Sequence, residues 1–132
     1  MSVLDLERLS EIELPTADEE IWRYSRIGDL DLADYRPVDH VPEVTGPTDV
    51  VTVGGDTVDL FPDDTPDVFA GINLRSASQV RVVVPANTVV DAPIVVTHTV
   101  PAGGALVSPR LVIEAGDNSE VTVVERFVSA AD

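Results

Sequence analysis

The sequence predicts a mainly β fold with short helices confined to its N-terminal part, and three observations lead there. Val recurs throughout the 132 residues while only three Phe, two Tyr and one Trp occur, so the core must be built from β-branched aliphatics, which suit pleated strands. From about residue 51 onward apolar residues recur with a period of two, separated by short stretches containing Gly, Pro or Asn. An apolar content of 44% at a mean hydropathy of +0.15 suffices for one real core and argues against disorder.

At the N-terminus, residues 3 to 12 place Leu6, Leu9 and Ile12 at near-helical spacing among Asp5, Glu7, Arg8 and Glu11, which predicts a short amphipathic helix or turn ended by Pro15. Thr16-Ala17-Asp18-Glu19 then matches the capping box, in which the Thr hydroxyl accepts from the backbone of the third helical residue and the Glu side chain reaches back. A second helix is expected to run to about Ile27, with Ala17, Ile21 and Tyr24 on one face, Trp22 beside them and Gly28 as its C-cap. From Asp29 to Pro47, alternating Leu and Asp give way to Pro37, Pro42 and Pro47, which cannot donate to a ladder, and the stretch reads as an extended linker. Residues 1–48 are thus read as a helical segment with a Pro-rich linker, and 49–132 as a β-rich domain.

Within that domain Val51, Val53, Gly54-Gly55, Val58 and Leu60 predict a hairpin whose Gly pair supplies positive φ. Further strands are expected near 68 to 74, 79 to 84, 93 to 99, 110 to 114 and 120 to 128. Val82-Val83-Val84 and Leu111-Val112-Ile113 are each followed, a few residues later, by an Asn and another Val-rich run. Such a repeat fits successive coils of a β-solenoid, and a β-sandwich of the same strands fits the periodicity nearly as well.

The composition narrows function by exclusion. With 24 acidic residues against 8 basic ones, the formal charge of −16 would repel a phosphate backbone, which disfavours nucleic-acid binding. No Cys is present, so these residues offer no thiolate nucleophile and no thiolate ligand for zinc or an iron–sulfur cluster. No basic stretch followed by an apolar run opens the chain and no apolar run approaches membrane-spanning length, so a soluble, cytoplasmic protein is expected.

Candidate chemistry is sparse. His40 falls in the Pro-rich linker and His98 in a predicted strand, neither with a second ligand at metal-like spacing, so a satisfied or exposed histidine is the expectation for each. Asp63-Asp64-Thr65-Pro66-Asp67 could offer oxygens to a hard cation, but Pro66 stands where a calcium loop needs its sharp-turn Gly, and a solvated acidic loop is the better reading. Ser108 and Ser119 lack a His at motif spacing, and no Lys follows the glycine pairs as in a phosphate loop. Glu114 and Glu125 could face each other across strands, though in so acidic a chain a charged surface accounts for them.

One stretch carries a family pattern. Leu14-Pro15-Thr16-Ala17-Asp18-Glu19-Glu20-Ile21-Trp22-Arg23-Tyr24-Ser25 resembles the N-terminal signature of the SufB/SufD family in its SufD branch: a Leu-Pro pair, a Glu, then Trp-Arg-Tyr-Thr or Trp-Lys-Tyr-Thr before a short acidic stretch. Here Ile21 stands where acidic or small residues are usual, and Ser25 replaces Thr. Val80 to Pro85 followed by Pro93-Ile94-Val95-Val96 is similar to the family's strand pair. Pro109-Arg110 with an aliphatic strand, then the turn Gly116-Asp117-Asn118-Ser119 and Val124-Glu125, is similar to a later segment.

The resemblance implies short N-terminal helices leading into the start of a right-handed parallel β-helix, in a non-catalytic component of the SUF iron–sulfur cluster assembly scaffold. Its partners would be SufB-like and SufC-like subunits, the latter an ATPase, with a homo-oligomer expected if this stretch stands alone. Family members are several times longer, and this chain would correspond to their N-terminal part. No catalytic, metal or cofactor residue is carried over, and no cofactor is expected on this chain alone. Leu14, Pro15, Glu20, Trp22, Arg23, Tyr24, Pro109, Arg110, Asn118 and Ser119 mark the family structurally, with Trp22 and Tyr24 as the apolar face of a docked helix. Two further readings compete: a free-standing β-rich module binding a ligand such as a carbohydrate, and a small metal-dependent enzyme using Asp63, Asp64, Asp67 and a His.

Overall fold

The computed structural model describes residues 11–55, 68–76 and 78–130. In chain order these form β1 (Arg36–Pro37), β2 (Glu43–Thr45), β3 (Val51–Val53), helix α1 (Val68–Ser76), β4 (Ser78–Val84), β5 (Ile94–Val100), β6 (Ala105–Leu106), β7 (Pro109–Ala115) and β8 (Val123–Ser129). The four long strands β4, β5, β7 and β8 lie where the period-two valine runs placed them. In β4 and β5 a face that buries aliphatics alternates with one that does not, as in a half-buried strand, whereas β7 buries Arg110 and Val112 and no residue of β8 is fully buried.

The strands form three small sheets, ordered β2-β5-β8, β3-β4-β7 and β1-β6. Both three-stranded sheets are mixed: β5 and β8 are parallel, as are β4 and β7, while β2 and β3 run antiparallel to β5 and β4. Ser78 is in register with Pro109 and Ile94 with Val123, so β4–turn–β5 and β7–turn–β8 are two copies of one unit laid one on the other. The valine runs suggested aligning Val82 with Leu111, whereas the ladder pairs Val82 with Ile113. The two alignments differ by two residues, which keeps the same side chains on the same face.

The core lies inside the first unit. Val80, Val82, Val84, Ile94 and Val96 are buried, with Val44 and Val51 from β2 and β3 packing on one side and Leu111 and Val123 from the second unit on the other. A second cluster gathers Leu32 and Ile72 with Ile12, Leu14, Leu30, Val68 and Leu106.

Three expectations are corrected. The strand expected at 68 to 74 is α1, which brings Val68 and Ile72, four residues apart, onto one face over the second cluster. The helix expected from Thr16 to Ile27 is replaced by 3-10 turns at Glu20–Trp22 and Ile27–Asp29. Half of the capping box forms: the Thr16 N–H donates to the Glu19 carboxylate at 3.2 Å, whereas the Thr16 hydroxyl accepts from the Asp18 N–H at 3.3 Å and not from Glu19, whose N–H bonds the Thr16 carbonyl. What is missing is a surface to cover, because Ile21 and Tyr24 are 85% and 95% exposed and a short helix depends on tertiary packing. Finally, the stretch read as a linker is tied into the sheets through β1 and β2. The far half of the hairpin expected at 51–60, the helix at residues 3–10 and the acidic loop at 63–67 lie outside the described residues.

Candidate functional site

The inward face of β5 presents Ile94, Val96 and His98 in alternation, all buried. In β8 the matching positions are Val123, Glu125 and Phe127, because Val96 is in register with Glu125 and His98 with Phe127. Phe127 therefore lies over His98, the rings stacked with centroids 4.6 Å apart. Glu125, one inward position back along β8, brings its carboxylate to 3.1 Å from His98 Nε2.

The other ring nitrogen is also engaged. His40, 58 residues earlier and between β1 and β2, places its Nε2 2.8 Å from His98 Nδ1. These contacts fix one neutral arrangement: His98 donates from Nε2 to Glu125 and accepts at Nδ1 from the His40 Nε2–H. His98 is 1% exposed, and having both nitrogens bonded avoids the ~1–3 kcal/mol cost of an unsatisfied buried polar group. His40 is half-buried, and desolvation, with the neighbouring imidazole second, holds its pKa below the ordinary 6.5.

Both histidines are hydrogen-bonded, in keeping with the expectation of a satisfied or exposed histidine; what spacing did not show is that they bond each other. Part of the signal was legible, since His98 continues the inward alternation of Ile94 and Val96 and must therefore find polar partners. Nothing in the spacing of His40 announced that it would be one. As for Glu114 and Glu125, they do not form a pair: Glu114 bonds Arg81, with Arg81 Nε 2.9 Å from its carboxylate. Among the described residues no group of three or more His, Cys, Asp or Glu side chains is placed to hold a metal ion.

The signature residues divide between two places. Leu14 packs on the second cluster, Pro15 is half-buried, and Glu20, Arg23 and Tyr24 are exposed. Trp22 is half-buried with its ring tilted against Phe69, centroids 5.4 Å apart, while Tyr24 of the expected apolar face is exposed. Arg110 is buried, and the Pro109 carbonyl accepts from Asn73 of α1 at 2.9 Å. Asn118 and Ser119 shape the β7–β8 turn, where the Ser119 hydroxyl donates to the Gly116 carbonyl at 2.6 Å. Leu14, Trp22, Pro109, Asn118 and Ser119 thus make packing or turn contacts, while Glu20, Arg23 and Tyr24 stay at the surface.

Beside α1 lies a cleft of about 230 Å³ lined by Leu30, Leu32, Tyr35, Phe69, Ile72 and Leu106 among others. Its lining is mostly apolar, with Tyr35, Asn73 and Ser108 as its polar side chains. Among the described residues no helix is long and apolar enough to cross a membrane. Comparison of the chain with protein-family models, with curated proteins and with solved structures finds no match.

Proposed function

We propose that this chain is a non-catalytic assembly component, a SufD-like part of the SUF iron–sulfur cluster scaffold, in which the stacked units are the first coils of a right-handed parallel β-helix. The reading carries with it a cytoplasmic location and partnership with SufB-like and SufC-like subunits. It rests on one observation above the others: among the described residues the second unit lies in register on the first, with β7 and β8 as the edges of their sheets.

The Ala130 N–H donates to the Val100 carbonyl and the Thr122 carbonyl accepts from the Ile94 N–H. Even-numbered residues of β8 therefore face β5, and Val123, Glu125 and Phe127 turn their backbone groups to the outer edge. Along that end Ile113 and Phe127 are 46% and 56% exposed, although both occupy inward positions of their strands. An edge that combines outward N–H and C=O groups with uncovered apolar side chains is suited to pairing with another strand. The Leu14-Pro15 and Trp22-Arg23-Tyr24 resemblance supplies the identity of the partner. Without such subunits the same edge would take a second copy of the chain.

Co-expression with SufB-like and SufC-like subunits tests this reading. Recovery of a stable complex is expected, weakened by Phe127→Glu or Ile113→Glu. A chain that stays monomeric and pairs with neither subunit would sink it.

A further inference from the structure

The Glu125–His98–His40 chain joins β8, β5 and the segment between β1 and β2, and its central link is a hydrogen bond between two imidazoles. We propose that this link is a proton-operated latch on the Pro37–Pro42 segment, closed while the two rings share at most one added proton and released when both are protonated.

An N–H···N bond needs a hydrogen on one nitrogen and a lone pair on the other. In the neutral pair His40 supplies the hydrogen and His98 the lone pair. One added proton leaves the bond possible, because one ring still offers a lone pair, and the Glu125 carboxylate beside His98 balances the charge. A second added proton places N–H groups and positive charges face to face at 2.8 Å with no acceptor between them, and the rings must part. His98 is enclosed by β5 and Phe127, so His40 is the ring that leaves.

Among the described residues the surrounding charges do not interfere. Glu43 of β2 and Arg126 of β8 are both in register with Thr97, so they sit on the sheet face opposite His98. The rest of β5 carries no charged residue, and Asp39, beside His40 in sequence, is exposed. On β1, Arg36 donates to the Gly103 carbonyl at 3.2 Å. Glu125 is thus the carboxylate that bonds the pair. On either side of His40 the segment is held by the Val38 N–H bonded to the Leu106 carbonyl at 3.0 Å and by buried Pro42 leading into β2. Release loosens a strand that covers the edge of β5, and it occurs below the ordinary histidine value because His40 resists protonation where it stands.

Amide exchange and ring-nitrogen NMR of the whole chain between pH 7.5 and 5 read the latch directly. The Val38 protection factor is expected to fall about tenfold relative to the Ile94 amide, together with loss of the His40–His98 tautomer pattern. In His40→Gln, which retains a donor but cannot titrate, the excess fall disappears. A Val38 protection factor that is flat with pH in the wild type, or a fall that persists in His40→Gln, overturns the proposal. Should that variant not fold, wild-type ring shifts decide: one unchanged tautomer pattern down to pH 5 overturns it, and its loss together with Val38 protection supports it.

Discussion

Asn118 donates from its side-chain amide to the Asn87 side-chain oxygen at 3.0 Å, 31 residues away, and both residues are left-handed, with φ of 55° and 58°. Each stands in the turn after the first strand of its unit, so the turns stack as the strands do. Asn tolerates this backbone because its short polar side chain bonds locally. Asn118→Val should cost about 2 kcal/mol, since a β-branched side chain meets the left-handed penalty and the amide contact is lost. Asn118→Gly should cost well under half of that. Urea titrations of the two variants check this, and equal losses would mean that backbone conformation is not what Asn118 supplies.

Gly116 opens the same turn. A Cβ there would meet the Ala86 nitrogen at 2.5 Å and the Pro85 carbonyl carbon at 2.8 Å, both backbone atoms of the turn it stacks on. Gly116→Ala should therefore push the turns apart and destabilise by about 2–3 kcal/mol. Gly28→Ala is the control, because nothing lies within 4 Å of its Cβ position. A change within about 0.5 kcal/mol is expected there in the same titration.

The N-terminal turns contribute modestly. The Thr16 side-chain bond is exposed and closes the turn at 16–19, ahead of the 3-10 turn whose N-cap Glu19 makes no side-chain cap bond, so Thr16→Ala should cost about 0.5 kcal/mol, the low end for caps. Trp22→Ala loses a tilted ring contact with Phe69 and partial burial, for about 1–2 kcal/mol. Ile94→Ala, at 0% exposure in the core, should cost about 3–4 kcal/mol. A Trp22→Ala loss as large as that of Ile94→Ala would show that the N-terminal turns carry as much of the fold as the core does.

Stability should depend on pH through His40. Its folded pKa lies below the unfolded 6.5, so at higher pH it is neutral in both states and its full contribution is present. As pH falls below 6.5 the unfolded chain takes up the proton first, and stability is lost until the folded pKa has also been passed. His40→Gln should flatten that part of the curve. Thermal denaturation of both proteins from pH 8 to 5 checks it, and parallel curves would remove His40 as the cause.

Much of this architecture was legible where side-chain alternation carries the information. Val80, Val82 and Val84, then Ile94 and Val96, announce inward faces because burial on one side of a strand imposes a period of two. Val68-Phe69-Ala70-Gly71-Ile72 gave no such guidance: it is apolar without alternation, and tertiary packing against Leu32 decided for a helix. The Thr16 capping box signalled a chain turn correctly, but it could not reveal that no apolar surface waits for Ile21 and Tyr24. The His40–His98 bond spans 58 residues and depends on where a Pro-rich segment crosses a sheet, which no local pattern encodes.

The two ends of the stacked units differ in what they allow. On one end β2 and β3 are three residues long, flanked by Pro42, Gly46, Pro47 and the Gly54-Gly55 pair, and they run against the direction of their neighbours. Short strands bounded by Pro and Gly are poor templates for a further ladder. The other end has seven-residue edges in β7 and β8. Identical copies consequently lack the matching surfaces for head-to-tail stacking, which is what an open filament requires. Self-association through the long edges has to bring like surface against like, and such a contact closes at two.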